Sequence, residues 1–522
     1  MGGGPEEPRL FGAERRAPPR GDGELDDPST ISNHARATDG GARARRPALF
    51  ALAAAAAVVT SCTLTREDVA SCTKNADCRE AFGAGLICGA SGLCEKAPPS
   101  PRCTTTFPPD LLTRPASYEG VITIGALMDR SVETQRGRED AIRLATTQVN
   151  EERGLGGRPF GVVFCDVAED ANYDSLKRTD AAVASARYLA DVLGVPAIVG
   201  PSASGDAIAV FDAVKDQRVL VMSPAASSPA LTGYDVKTAT DEAPGLLWRT
   251  AVPDTLQGAA IARHLTTSFP TATRVVVVNE KGPYGTSLAE VFTAAFQVGG
   301  RTVETIAYET ASQRDAAIVQ AATSSPAFVL FFSSQTPDAV AFLNAATALD
   351  SYADIGLFLT DSAANPDLLS GAAGASALFP RVIGSRPAVP QGPTFELFKT
   401  SYNAAFKRDP GALAFVPHAY DATWLVFYGS AFALRQENAV TGTGIARGLR
   451  KLSAPGEEIP VTPANWTRIA DAVGAGTAVN VAGASGSLDY DPVTEETTGL
   501  IDVWKIAADG KSIESVDTID PR

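Results

Sequence analysis

Two loops carry the residues best suited to chemistry, Gly200-Pro201-Ser202-Ala203-Ser204 and Ser223-Pro224-Ala225-Ala226-Ser227, both rich in small hydroxyl side chains. Such loops can do two things. Hydroxyls and the free N–H groups at the start of a following helix can hold an anion such as a carboxylate, because those donors are unpaired and the helix dipole favours negative charge there. Alternatively a serine can act as a nucleophile: Ser202, Asp361 and His418 stand in the serine, acid, histidine order of α/β-hydrolases. That turn needs small residues on both sides of the serine, whereas here Pro201 adjoins it and Ser204 takes the second glycine position. Ligand docking therefore explains the loops better, and no enzyme activity is expected. Gly442-Thr-Gly444 lacks both a preceding strand and dinucleotide-loop spacing, so no cofactor is expected.

The elements that would position these loops are legible in the same stretch. Residues 195–199 and 219–222 are short, apolar and unalternating, as strands buried on both faces of a parallel sheet are. Between them 207–214 repeats Ile208, Phe211 and Val214 at helical spacing, which makes one right-handed crossover with both loops at strand C-termini. Open α/β sheets bind ligands there. Ser204 is expected to cap a helix beginning at Gly205. Further strand runs at 274–279, 328–332 and 355–359 each precede a polar loop and a helical stretch.

The stretch from Val195 through "GPSASGDAIAVFDAVKDQRVLVMSPAASSPALT" to Thr232 resembles the first lobe of type I periplasmic binding proteins of the branched-chain amino acid-binding kind. Val121-Ile-Thr-Ile-Gly-Ala126, Asn150-Glu-Glu-Arg-Gly-Leu-Gly-Gly157, Leu247-Trp-Arg-Thr250 with Gln257-Gly258, and Tyr420-Asp421-Ala422 fall in the family's order across residues 119–510. The resemblance implies two doubly wound α/β lobes with parallel sheets, joined by a three-strand hinge, that close on a small polar ligand and deliver it to the permease of an ABC importer. A sensor using the same cleft without a transporter is the alternative. The resemblance also implies that Ser202, Ser204 and Ser227 donate to a ligand carboxylate, that the Ala225 carbonyl accepts from an ammonium group, and that Tyr284 presents an aromatic ring from the second lobe. Asp361 follows a strand and either pairs with the ligand ammonium or caps the next helix. Tyr420 is placed near the hinge, lining the cleft or buried in the core; Ser333 and Ser334 end another strand. The loop after the first strand, Met128-Asp-Arg-Ser-Val-Glu-Thr134, departs from the family pattern, and Arg130 or Glu133 reaching the cleft would change the ligand.

With 522 residues and 45 % hydrophobic content the chain is long enough for more than one packed domain. Its net charge of −15 arises after residue 61, since the first 61 residues hold eight Arg against eight Asp plus Glu. A surface of that sign repels phosphate backbones, so nucleic acid is not an expected partner. Arg43, Arg45 and Arg46 precede the apolar stretch 47–59, too short to span a bilayer but right for a signal core, and Val59-Thr60-Ser61-Cys62 resembles a bacterial lipobox. The expectation is a leader over 1–61 and a lipid anchor on Cys62, holding a monomer on the periplasmic or cell-surface face of a bacterial membrane.

Removing Cys62 leaves six cysteines, an even number suited to disulfides in an oxidising space. Cys72, Cys78, Cys88, Cys94 and Cys103 make a small Cys-rich module over 62–103, too poor in apolar residues to fold unaided. One of them needs an outside partner, and Cys165 is the candidate. Zinc is the rival reading, but no Cys-x-x-Cys occurs and no histidine is near, so no metal is expected. The proline-rich stretch 104–118 reads as a linker, with lobe 1 formed by 119–250 and 386–475 and lobe 2 by 251–385 and 476–522.

Overall fold

The computed structural model describes residues 71–521 apart from Glu119 and Ala171; the leader, its apolar stretch and Cys62 lie outside the described residues. No helix among the described residues is long and apolar enough to cross a membrane. The described chain opens with α1 (Asn75–Phe82) packed on a hairpin of β1 (Leu86–Cys88) and β2 (Cys94–Lys96). Few side chains here are buried, and disulfides Cys72–Cys88 and Cys78–Cys94 hold the module together. Cys103 is joined to Cys165, so none of the six is a thiolate available to zinc.

The first lobe is built from β3 (Thr105–Phe107), β4 (Ile122–Met128), α2 (Glu133–Glu151), β5 (Phe160–Asp166), α3 (Arg178–Arg187), β6 (Ala197–Val199), α4 (Ser204–Val214), β7 (Leu220–Ser223) and β8 (Leu247–Arg249). Its sheet runs β3-β5-β4-β6-β7-β8, parallel except for β3. The inner strands are buried at almost every position because helices cover both faces, which is why they read as unbroken apolar runs. The stretch 104–118 is not the spacer expected from its prolines. β3 adds to the sheet edge against β5, and Leu111 is fully buried in the lobe. Pro108 directly follows this edge strand, where a missing N–H removes no ladder bond.

The chain crosses at 250–253 into α5 (Asp254–Ser268), β9 (Arg274–Glu280), α6 (Pro283–Phe296), β10 (Thr302–Tyr308), α7 (Ala311–Ala322), β11 (Phe328–Phe332), α8 (Thr336–Ala346), β12 (Gly356–Leu359), α9 (Pro366–Gly371) and β13 (Val382–Pro387). It recrosses at 388–392 to α10 (Pro393–Phe406), α11 (Val416–Glu437), α12 (Gly442–Leu449), β14 (Glu458–Pro460), α13 (Trp466–Gly474), β15 (Asn480–Gly483) and β16 (Gly486–Ser487). After a third passage at 491–500, β17 (Ile501–Ile506) and β18 (Ile513–Ile519) complete the second sheet in the order β10-β9-β11-β12-β13-β17-β18. Residues 476–490, expected in the second lobe, stay with the first: Val481, Ala484, Leu488 and Tyr490 are part of its core. The third passage is fixed by buried Arg249, whose guanidinium pairs with Glu496 at 2.6 Å.

Candidate functional site

In the first sheet the chain leaves β4 for β5 on one side and later takes β6 on the other; in the second, β10 and β11 flank β9 in the same way. Such reversals open a crevice at the strand C-termini because the following helices diverge to opposite faces. The two crevices face each other and line one cavity of about 50 Å³. From the first lobe come Thr134, Gln135 and Arg138 at the start of α2, Ser202 and Ser204 before and at the start of α4, and Ala225 after β7. From the second come Tyr284 at the start of α6, Ser334 and Thr336 after β11, and Asp361, Ser362 and Asn365 after β12.

Direct hydrogen bonds tie the lobes around this cavity. Ser228 Oγ donates to the Pro283 carbonyl at 2.5 Å, and the Glu133 backbone N–H donates to Asp367 Oδ2 at 3.0 Å. The cleft is thus drawn closed.

Ser204 begins α4 and is not its cap; Ala203 is the N-cap, and it has no side-chain oxygen to offer. The Ser204 hydroxyl instead accepts from the Ser228 N–H at 3.2 Å, bracing the two serine loops against each other. Ser223 Oγ adds a second brace by donating to the Pro201 carbonyl at 2.6 Å. Ser202 Oγ lies 4.0 Å from Met128 Sδ, its one protein contact of this kind, and borders the cavity. Ser227 is buried behind the cavity wall; its carbonyl accepts from the Asp254 N–H at 2.8 Å, and its side chain neighbours the Asp254 carboxyl.

On the opposite wall Asp361 Oδ1 accepts from the Tyr284 hydroxyl at 2.5 Å and from Gln257 Nε2 at 3.2 Å. Gln257 is itself held by Ser385 Oγ at 3.0 Å. Burial raises the Asp361 carboxyl above its ordinary value, opposed by these two hydrogen bonds. Burial, and then the charge of Asp361, keeps the proton on Tyr284. Burial also raises Asp254 well above the usual carboxylate range, with Asp361 adding to the effect. Asp361 is not the cap of α9; Asn365 fills that role by accepting from the Leu368 N–H at 3.2 Å.

Other expected residues lie elsewhere. Tyr420 is a core residue of the first lobe, donating to Gln148 Oε1 at 2.6 Å, and does not line the cavity. It faces α2, one of the helices on which α11 packs. Arg130 is taken up by Glu139 at 2.7 and 3.0 Å, and Ser333 by Glu280 and Asp338, each at 3.2 Å. The hydrolase residues do not form a relay: Asp361 is engaged by Tyr284 and Gln257, while the His418 ring packs on Phe415 and its Nδ1 has no partner.

Sequence reasoning missed Gln257, Asp254 and above all Arg138. A usable signal existed for Arg138: it stands at helical spacing with Ala141, Ile142, Ala145 and Val149, the buried stripe of α2, where an arginine has no reason to be unless something answers its charge. Phe415, which also borders the cavity, has φ of +64°, a strained value for a bulky side chain.

A sequence model of the family described as "Periplasmic binding protein" matches residues 121–478. The chain is 29 % identical over 199 residues to the Leu/Ile/Val-binding protein BraC3 of Rhizobium johnstonii, covering 38 % of this chain and 50 % of that one; it spans about half the length of that relative. It is 23 % identical over 399 residues to the chemotactic signal transduction system substrate-binding protein BasB of Halobacterium salinarum, covering 73 % and 86 % of the two chains. The fold is that of the leucine binding protein LivK from Thermotoga maritima, with a TM-score of 0.59 at 18 % identity over 77 % of this chain and 99 % of that one.

Proposed function

Because the chain belongs to the periplasmic binding protein family, we propose that it is an extracytoplasmic solute-binding protein whose lobes close on a small polar ligand, an amino acid or a related amide or organic acid, and deliver it to an ABC importer. The observation that carries this reading is the meeting of both switch-point crevices in one polar cavity, with Ser202 and Ser204 on one wall and the Tyr284–Asp361 pair on the other. A ligand carboxylate suits the serine loop and the start of α4, and its ammonium suits Asp361, whose hydrogen bonds strengthen as the cleft excludes water. The ligand contacts both walls, so it shifts the population of lobe angles toward the shut form that a membrane partner recognises.

The leader over 1–61 and a diacylated Cys62 would hold the monomeric protein on the periplasmic or cell-surface face of a bacterial membrane. Cys62→Ala should move it from the membrane to the soluble fraction. The similarity to BasB favours a second reading, a sensor that signals closure to a receptor instead of a permease.

Thermal denaturation of the purified protein against amino acids, amides and small organic acids tests the proposal. A ligand at a hundred times its Kd adds about 2.7 kcal/mol and raises the Tm visibly. A panel without any shift would remove the solute-binding reading.

A further inference from the structure

Four arginines are buried among the described residues, Arg102, Arg138, Arg249 and Arg386, and three of them face a carboxylate: Asp174, Glu496 and Asp502. Arg138, only 6 % exposed, has none within ion-pair reach among the described residues. Its Nε and Nη2 both donate to the Ala414 carbonyl, at 3.2 and 3.1 Å, and its guanidinium sits over the Phe415 ring at 5.3 Å. A carbonyl and a ring orient the guanidinium without neutralising it, and Nη1 has no hydrogen-bond partner among the described residues. Asp361 acts on it only through space from the other wall. Burial lowers its pKa to about 10, so it carries its charge at neutral pH.

Arg138 borders the same cavity as the serine loop and Asp361. An uncompensated buried charge is costly, and a planar guanidinium with free donors matches a carboxylate in two-point geometry. The first-lobe wall therefore offers two separate anion-binding points, Ser202–Ser204 with the start of α4 and the Arg138 fork, facing a single acid. An aliphatic side chain would leave the guanidinium dry and unanswered.

Building on the solute-binding reading, we infer that Arg138 is the specificity-determining residue of the cleft and that the ligand is a small acidic amino acid, its second carboxylate seated on Arg138. Arg130, which the sequence offered for this part, is neutralised by Glu139 and plays none in it.

Isothermal titration of the full-length protein with L-aspartate, L-glutamate, L-asparagine, L-glutamine and L-leucine tests the assignment. The expected result is that aspartate or glutamate binds at least about 30-fold more tightly than its own amide and than leucine, since truncating one partner of a buried charged pair costs that much or more. Arg138→Met should abolish this preference, and Arg138→Lys should restore part of it; a residue that only braced α2 would change the Tm without changing the ranking of ligands. Leucine or glutamine binding more tightly than the acids to the unaltered protein overturns the inference whether or not Arg138→Met folds, and leaves the solute-binding reading intact. Acid binding that Arg138→Met leaves within twofold also overturns it. Absence of binding by all five, together with a flat thermal-shift panel, removes both.

Discussion

The Tyr284 hydroxyl donates to Asp361 Oδ1 at 2.5 Å and so joins the start of one second-lobe helix to the loop after a strand two positions across the sheet. The bond presents one carboxylate to the cavity in a fixed orientation, while Gln257 supports it from behind. Tyr284→Phe should weaken ligand binding about tenfold or more, as expected for a lost hydrogen bond to a charged group worth ~1.5–3 kcal/mol. Titration calorimetry on the variant checks this; unchanged affinity would take Asp361 out of the ligand's reach.

Ser204→Ala should cost stability as well as affinity. Its hydroxyl is the acceptor for the buried Ser228 N–H, and an orphaned buried donor costs ~1–3 kcal/mol. Urea denaturation of the variant should show a lower midpoint with an unchanged slope. An unchanged midpoint would mean that the two serine loops do not brace each other.

His418 gives the protein a defined acid sensitivity. Burial holds its imidazole neutral and lowers its pKa from 6.5 to about 3, with Arg138 contributing. The unfolded chain binds this proton and the folded one does not, so the stability contribution is present above pH 6.5 and is lost as pH falls toward 3. His418→Gln should flatten the dependence of the melting temperature across that window. An identical profile in both proteins would place the imidazole in contact with water.

Asp254 acts with the opposite sign. Its carboxyl pKa is raised by burial, so the folded state holds a proton that the unfolded state releases, and stability declines as pH rises above the ordinary carboxylate value. Asp254→Asn should therefore gain stability relative to the unaltered protein as pH increases. A variant that loses ground with rising pH would show that Asp254 is ionised in the fold.

Much of this was legible in the chain. Strands β6, β7, β11 and β12 carry unbroken apolar residues because both sheet faces are covered, and the loops that follow them hold Ser202, Ser204 and Asp361. β10 and β18 were not legible, since edge strands such as Thr302–Tyr308 and Ile513–Ile519 are mostly solvent-facing and polar. Arg138 escaped because a charged helix over 133–143 reads as a solvated face, and only the stripe shared with Ala141 and Ile142 shows otherwise. Pro108 and Pro109 suggested a spacer, but nothing local reveals that Cys103 and β3 dock on β5.

The Cys103–Cys165 bond closes a loop with a sequence separation of 62 residues between the start of the first lobe and its second parallel strand. Replacing both cysteines by serine should cost about 2–4 kcal/mol through the greater freedom of the unfolded chain, seen as a lower Tm. A Tm equal to that of the unaltered protein would show that the bond is not formed in solution.

The most direct test of a clamp closing on a solute between Ser202–Ser204 and Asp361 is the ligand-induced rise in Tm of the full-length protein measured beside Asp361→Asn. The account predicts that a small amino acid raises the Tm of the unaltered protein and leaves that of Asp361→Asn nearly where it was. An equal rise in both would contradict it.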